Sequence, residues 1–223
     1  MGKLIIIDGT DGSGKATQSQ KLVARLEKEG YKVRKVEFPN YKSESSALIK
    51  MYLNGEFGEN PEDVNYFAAS AFYAVDRFAS FKMEWENFYN EGGIIIADRY
   101  TTSNMVHQAA KIKDLDEKNS FLDWIYDLEY NKFKLPMPDL VLFLNMPPEY
   151  SFKLMEDRKN KFTGDKDKDI HEKNKDYIEN SYRNAIYCAE RYGWAKVDCV
   201  NQGIIRSIDE IHDDIYKAII TII

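Results

Sequence analysis

The sequence predicts an α/β protein built on a parallel sheet that helices cover on both faces. Three features carry this expectation. Lys3–Asp8, Ile94–Asp98 and Leu140–Leu144 are short apolar runs of the kind found in strands buried on both sides. Segments of helical period separate them, so strands and helices alternate along the chain. A glycine-rich turn joins the first run directly to the first helical segment.

Taken in order, KLIIID at Lys3–Asp8 is a first strand ending in a carboxylate. A helix is expected from Thr17 to Glu29, with Gly30 in a C-terminal capping position. Lys32–Glu37 reads as a second, less apolar strand, broken by Phe38-Pro39-Asn40-Tyr41. Pro61 opens a long helical region reaching Tyr89, in which Phe67, Ala71, Ala74, Phe78, Phe81, Trp85 and Phe88 form one apolar stripe. That stripe is either core or a subunit interface. After the turn Glu91-Gly92-Gly93 comes the strand Ile94–Asp98, then helical patterns to Lys132, then Pro136 and Pro138, then the central strand Leu140–Leu144. A highly charged stretch runs from Glu156 to Asp176 around Thr163-Gly164. A helix to Tyr192, a strand over Trp194–Val200 and a helix from Ile208 complete the chain. No repeat or linker interrupts it, so residues 1–223 are expected to form one domain.

Composition narrows the function class. The 223 residues are 43% hydrophobic and 30% charged, with a formal net charge of −6. Neither a nucleic-acid groove nor a membrane-binding basic face is expected from that balance. Cys188 and Cys199 have no metal-type or redox-type spacing, which suits reduced thiols in a cytoplasmic protein. The N-terminus carries no signal-peptide pattern, and no apolar stretch approaches the ~20 residues of a membrane span.

The strongest motif is Gly9-Thr10-Asp11-Gly12-Ser13-Gly14-Lys15, which fits G-x-x-x-x-G-K between a buried strand and a helix. Glycines let the backbone curl until its N–H groups face phosphate oxygens. The helix behind adds its positive end, and Lys15 adds a mobile cation. Gly9, Asp11, Gly12, Ser13, Gly14, Lys15, Ala16 and Thr17 are therefore the candidate ATP-phosphate contacts, in a P-loop NTPase fold. The motif ordinarily continues with a hydroxyl residue that ligates Mg²⁺. Ala16 stands there, so water or other groups must complete the shell, which Mg²⁺ tolerates because it commonly keeps several waters.

A second element, Asp98-Arg99-Tyr100, ends the strand Ile94–Asp98. Ligands of open parallel sheets bind beyond the carboxyl ends of the strands. Asp98 is thus suited to a hydrated Mg²⁺ and Arg99 to an acceptor phosphate, with a plain structural ion pair as the alternative.

With these elements, Phe38-Pro39-x-Tyr41, Asp76-Arg77, and Ser103-Asn104 after Asp98-Arg99-Tyr100 resemble the thymidylate kinase family, over nearly the whole chain and in the same order. The resemblance implies a five-stranded parallel sheet flanked by helices, a homodimer, and transfer of the γ-phosphate of MgATP to dTMP. It further implies that Phe38 stacks on thymine, Arg77 and Asn104 read the base, Arg99 clamps the dTMP phosphate near Tyr41, and Asp11 meets the 3′-hydroxyl. Taken alone, each has a plainer reading: core for Phe38, a salt bridge with Asp76 for Arg77, and a helix cap for Asn104. His107, one turn beyond Asn104, stands where family members often carry an aromatic ring against C2′ of the sugar. A wall against ribonucleotides is expected of it, with its ring nitrogens turned to water or another side chain; a bond to a 2′-hydroxyl and a place outside the pocket are the alternatives.

The charged segment near 156–172 resembles the family's mobile lid. The P-loop holds no arginine between Gly9 and Lys15, so a lid cation is expected to neutralise the transferring group: Arg158, with Lys159 and Lys161 as alternates. His171 and Glu172 carry no firm role. Two rivals remain. A deoxynucleoside kinase would use a carboxylate base such as Glu37, and a catalytically silent nucleotide-binding module would draw on Ala16.

Overall fold

The strands β1 (Lys3–Asp8), β2 (Val33–Glu37), β3 (Ile94–Asp98), β4 (Leu140–Asn145) and β5 (Ala195–Asp198) form one sheet in the order β2-β3-β1-β4-β5. Every pairing in it is parallel. The computed structural model describes residues 1–155 and 174–223. The expected α/β class and the five-stranded parallel sheet are both present.

The helices are α1 (Lys15–Lys28), α2 (Ala47–Leu53), α3 (Tyr66–Ser80), α4 (Glu86–Asn90), α5 (Thr101–His107), α6 (Leu115–Tyr126), α7 (Pro148–Met155), α8 (Lys175–Tyr192) and α9 (Ile208–Ile219). The period-2 alternation of β1 explains where they dock. Ile5 and Ile7 face Leu22 and Leu26 of α1 and Ile211, Ile215 and Ile219 of α9. Leu4 and Ile6 face the opposite way, into a core that holds Trp85, Tyr100, Phe121 and Ile125. Full burial of such Leu and Ile side chains contributes roughly 1.5–3 kcal/mol each. The sheet is therefore sealed on both sides, and its strand ends are left to carry polar groups.

Strand register then lines up the chemistry. Ile7 pairs with Asp98, Asp8 with Phe143, and Glu37 with Asp98. The carboxyl ends of β1, β2 and β3 thus meet at one rim.

Several boundaries differ from those the sequence predicts. α1 begins at Lys15, two residues early, because Gly14 turns into the helix in the left-handed conformation. Its end is as expected: Gly30 has φ +89°, and the N–H groups of Gly30 and Tyr31 return to Glu27 and Leu26 in a Schellman motif. The long helix from Pro61 to Tyr89 is broken into a 3₁₀ turn over Pro61–Asp63, then α3, then a π-helical turn over Phe81–Trp85, then α4. Asn60 and Asp63 close a capping box on the first piece, and Asn65 caps α3 anew. The extra residue of the π turn rotates the helix beyond it relative to α3. Phe67 and Phe78, on α3, are 38% and 39% exposed, while Phe81 and Trp85, in the π turn, lie in the core. The last strand stops at Asp198, and a small hairpin, β6 (Val200–Asn201) and β7 (Ile204–Ile205), replaces the expected continuation to Val200.

Cys188 and Cys199 are both buried and free, and burial pushes each thiol up to about 12. Among the described residues no helix is long and apolar enough to cross a membrane.

Candidate active site

The P-loop depends on two glycines for both conformation and space. Gly9 has φ +156°, and a Cβ there would lie 2.7 Å from Ser13 Oγ and 2.9 Å from the Leu144 carbonyl. Gly12 has φ +78°, and its Cβ would lie 2.8 Å from the Ser151 carbonyl on α7. Lys15 is buried, and its Nζ donates to the Thr10 carbonyl at 2.8 Å. Its ammonium therefore rests against its own loop, within reach of any phosphate the loop amides bind. Thr10 Oγ1 and Ser13 Oγ are buried with no hydrogen-bond partner among the described residues. Buried polar atoms of that kind need an external partner to recover the cost of desolvation. Ala16 and Thr17 are exposed on the first turn of α1.

At the end of β3, Arg99 adopts φ +69°, an uncommon conformation for a residue with a Cβ. The kink sends its side chain back toward the P-loop. Nη2 donates to Asp11 Oδ1 at 2.5 Å, Nη1 donates to Ser103 Oγ at 3.2 Å, and Nη1 lies 3.9 Å from Asp8 Oδ1. Burial opposes the charge on Arg99, but Asp11, then Asp8 and Asp98, and Tyr41 outweigh it and raise its pKa. Asp11 thus holds Arg99, and Tyr41 adds to the field that keeps it charged.

No sequence motif marks Asp8 as a site residue. It is fully buried and accepts from the Gly9 N–H at 2.8 Å, from Ser103 Oγ at 2.9 Å and from Thr102 Oγ1. One carboxylate thereby ties the start of the P-loop to the start of α5. The signal that could have marked it is the apolar run ending in Asp8, alike in form to the run ending in Asp98.

Asp98 is 1% exposed, and its Oδ2 has no hydrogen-bond partner among the described residues. Lys35 Nζ lies 3.9 Å from that oxygen and 3.2 Å from Glu37 Oε2. A buried carboxylate oxygen without a donor suits a hydrated Mg²⁺, for which the Lys35 ammonium is a competitor. No group of three or more His, Cys, Asp or Glu able to hold a metal occurs among the described residues. Phosphates and water would have to supply the remaining ligands.

Arg77 departs from its plainer reading. Its partner is not Asp76 but Glu129, which accepts from Nε at 2.6 Å and Nη2 at 2.5 Å. Arg77 is 2% exposed and Glu129 is fully buried, with Thr101 Oγ1 donating to Glu129 at 2.8 Å. Burial works against the charge on Arg77, and Glu129 overcomes it. A guanidinium has five N–H donors. Glu129 uses two, and the Tyr100 carbonyl, at 3.4 Å from Nη1, takes a third. Two donors are left for another acceptor. Asp76 turns the other way, accepting from the Asn40 N–H at 2.8 Å and Ser45 Oγ at 2.6 Å.

The remaining predicted residues divide. Phe38 is 3% exposed and packs on Tyr100 with ring centroids 5.9 Å apart. Tyr41 is half-buried and, like Phe72 and Tyr73, packs against the cluster that holds Ile49, Tyr52 and Ala69. Tyr73, which no sequence motif marks, lies one turn before Arg77 on α3 and offers a second aromatic ring on the same helix face. Asn104 is buried inside α5 and donates to the Ser70 carbonyl at 3.2 Å. It is not a cap, since Tyr100 holds that position. His107 is 9% exposed, and its Nε2 lies 3.0 Å from Arg99 Nη1, so one ring nitrogen does turn to another side chain. Arg158, Lys159, Lys161, His171 and Glu172 lie outside the described residues.

Comparison with known proteins returns one family. The family model for thymidylate kinase matches residues 7–215. A probable thymidylate kinase of Thermococcus onnurineus is 29% identical over 217 residues, covering 96% of each chain. The thymidylate kinase of Plasmodium falciparum is 27% identical, covering 98% of this chain and 90% of its own. The human thymidylate kinase is 31% identical over 145 residues, covering 65% of this chain. In three dimensions, the thymidylate kinase of Candida albicans superposes with a TM-score of 0.73 at 23% identity, covering 99% of this chain and 92% of its own.

Proposed function

The chain belongs to the thymidylate kinase family and phosphorylates dTMP with the γ-phosphate of ATP, and on that premise we propose how its residues divide the work. Phosphoryl transfer asks little covalent chemistry of a protein; positioning and charge neutralisation dominate. The P-loop amides from Gly9 to Thr17 and the Lys15 ammonium bind the β- and γ-phosphates of ATP. Asp98 would hold a hydrated Mg²⁺ through Oδ2, the ion would supply neutralisation of phosphate charge, and Ala16 offers it no ligand. Arg99 holds the dTMP phosphate in line. Asp11, already against Arg99, accepts from the 3′-hydroxyl. Arg77 offers its two remaining donors to the base carbonyl, Asn104 reads the base edge, and Phe38 and Tyr41 border the nucleoside. Arg158 supplies the lid cation. Lid closure excludes water and so limits hydrolysis of ATP. No protein nucleophile is needed, because an oxygen of the dTMP phosphate attacks.

The observation that carries this assignment is the strained Arg99, turned by its own backbone to the P-loop and clamped to Asp11. Arg99→Ala should leave ATP affinity nearly intact and cut dTMP turnover by orders of magnitude. Normal turnover in a coupled ADP-release assay would remove Arg99 from the acceptor site. We further propose that His107 excludes the 2′-hydroxyl. His107→Ala should then admit ribothymidine monophosphate, and unchanged discrimination between the deoxy and ribo substrates would remove that role. The enzyme is proposed to act in the cytoplasm as a homodimer.

A further inference from the structure

Ser103, on the first turn of α5, stands between the cation and the buried carboxylate at the rim. Its Oγ lies 3.2 Å from Arg99 Nη1, and 3.0 Å and 2.9 Å from the two carboxylate oxygens of Asp8. A serine hydroxyl donates one hydrogen bond and accepts two, whereas a guanidinium only donates. Toward Arg99 the hydroxyl must therefore be the acceptor. Its single proton is left for Asp8, so the hydroxyl has one orientation. Asp8 is fully buried and held from its other side: the Gly9 N–H donates to Oδ1 at 2.8 Å, and Thr102 Oγ1 donates to Oδ2. The series Arg99, Ser103, Asp8, Gly9 thus runs from the cation to the first residue of the P-loop, with a donor matched to an acceptor at every step.

What the hydroxyl changes is the distance between charges. Asp8 Oδ1 stays 3.9 Å from Arg99 Nη1, whereas Asp11 Oδ1 touches Nη2 at 2.5 Å. Asp8 therefore favours the charge on Arg99 without taking one of its N–H groups. A second carboxylate in direct contact would compete with an incoming phosphate for the same donors. A hydroxyl in that place orients Nη1 and carries no net charge. Nη1 has two hydrogens, so its approach to His107 Nε2 at 3.0 Å leaves room for Ser103. The brace matters because the Arg99 backbone turns at φ +69°, and a side chain sent out from such a turn takes its direction from its neighbours. We propose that Ser103 is a positioning residue for the acceptor phosphate: it passes the hold of Asp8 on to Nη1 and fixes the plane in which the Arg99 guanidinium meets dTMP. The inference rests on the assignment of Arg99 to the dTMP phosphate.

The test measures the dissociation constants of dTMP and of thymidine by titration calorimetry for the wild type, Ser103→Ala, Ser103→Thr and Arg99→Ala. Thymidine carries the same base and sugar but no phosphate to meet Arg99. Ser103→Ala keeps both charges and removes only the hydroxyl. It should weaken dTMP about tenfold, the lower end of what a lost bond to a charged group costs, and leave thymidine affinity unchanged. Ser103→Thr keeps a hydroxyl on the same Cβ and should retain most of the wild-type dTMP affinity. Unchanged dTMP affinity in Ser103→Ala would overturn the inference. So would an equal loss for both ligands, which would reduce Ser103 to the packing of α5, and so would a Ser103→Thr variant as weak as Ser103→Ala. Arg99→Ala separates the two layers. Normal dTMP affinity in that variant would overturn the Arg99 assignment itself, whereas a lost preference for dTMP over thymidine there, beside an unchanged Ser103→Ala, would overturn only the role of Ser103.

Discussion

At the scale of single residues, the fully buried pair Arg77–Glu129 has two separable roles. It joins α3 to the π-helical turn that succeeds α6, and on the proposed assignment it orients the donors offered to the base. Removing one partner strands a buried charge, so Glu129→Ala should lower unfolding stability by about 3–5 kcal/mol. Replacing both with apolar residues, as Arg77→Met with Glu129→Leu, should recover most of that stability, since similar swaps of buried ion pairs are often neutral. It should not recover dTMP binding. Denaturant melts beside dTMP titrations check both halves, and a double variant that binds dTMP normally would reduce the pair to packing. The sequence reveals Arg77 through its place beside Asp76, yet it cannot reveal Glu129. That partner is 52 positions away and reaches the core from a turn that breaks helical periodicity. Asp8 escapes for a related reason: an aspartate at the end of an apolar strand announces its place at the rim but not the three donors folded around it. Asp11, Tyr41 and Arg99 are easier to read, because each falls within a short motif whose mechanism fixes its neighbours.

At the scale of elements, the sheet is legible because its strands are continuous apolar runs between clear turn signals. The two π-helical turns, Phe81–Trp85 and Asp127–Lys132, are not, because one inserted residue shifts every later side chain while leaving composition unchanged. The P-loop gives a direct test of an element packed to contact. Gly12→Ala would place a methyl group 2.8 Å from the Ser151 carbonyl, at a φ of +78°. The loop or α7 must give way, so KM for ATP should rise at least tenfold, about 1.4 kcal/mol, while the melting temperature falls only slightly. An unchanged KM would mean that the loop amides do not set ATP affinity. The packing of α1 against α9 carries a pH dependence. His212 is 3% exposed, and neither ring nitrogen has a hydrogen-bond partner among the described residues. Burial, then Lys21 and Arg25, lowers its pKa in the folded state. The unfolded chain therefore takes up this proton first as pH falls. Stability present above about pH 6.5 is lost below it, because the unfolded state then binds more protons. His212→Leu should flatten the acid limb of the melting temperature between about pH 7 and about pH 5. A limb of equal steepness would place the acid sensitivity elsewhere.

At the scale of the whole molecule, strand register gathers Asp8, Asp98, Arg99 and the P-loop at one rim, so the site is a property of the sheet more than of any one loop. Ligands should therefore stabilise the entire fold. With ATP at about 100 times its dissociation constant, unfolding stability should rise by about 2.7 kcal/mol, readable as a higher melting temperature. The apolar stripe raises the question of assembly. Phe67 and Phe78 are eleven residues apart on α3, three turns along one line of the helix, and they remain 38% and 39% exposed. Val75 and Met83 add apolar surface at 51% and 81% exposure. Phe67 is also braced from below by Phe121 and Trp124, with ring centroids 5.6 Å and 4.7 Å away, so the face is rigid before any partner arrives. A rigid apolar helix face can meet its own twin across a two-fold axis, since such an interface is self-complementary. A stable pair needs about 800 Å² buried on each partner, more than one helix offers, so the flanking surface around Met83 must join in. Light scattering at micromolar concentration should give twice the chain mass of 26.0 kDa. Val75→Glu with Met83→Glu should return a monomer that melts at lower temperature at high protein concentration, where the wild type gains from assembly. A monomeric wild type would remove the dimer, and a doubly substituted chain that still dimerises would move the interface to another face.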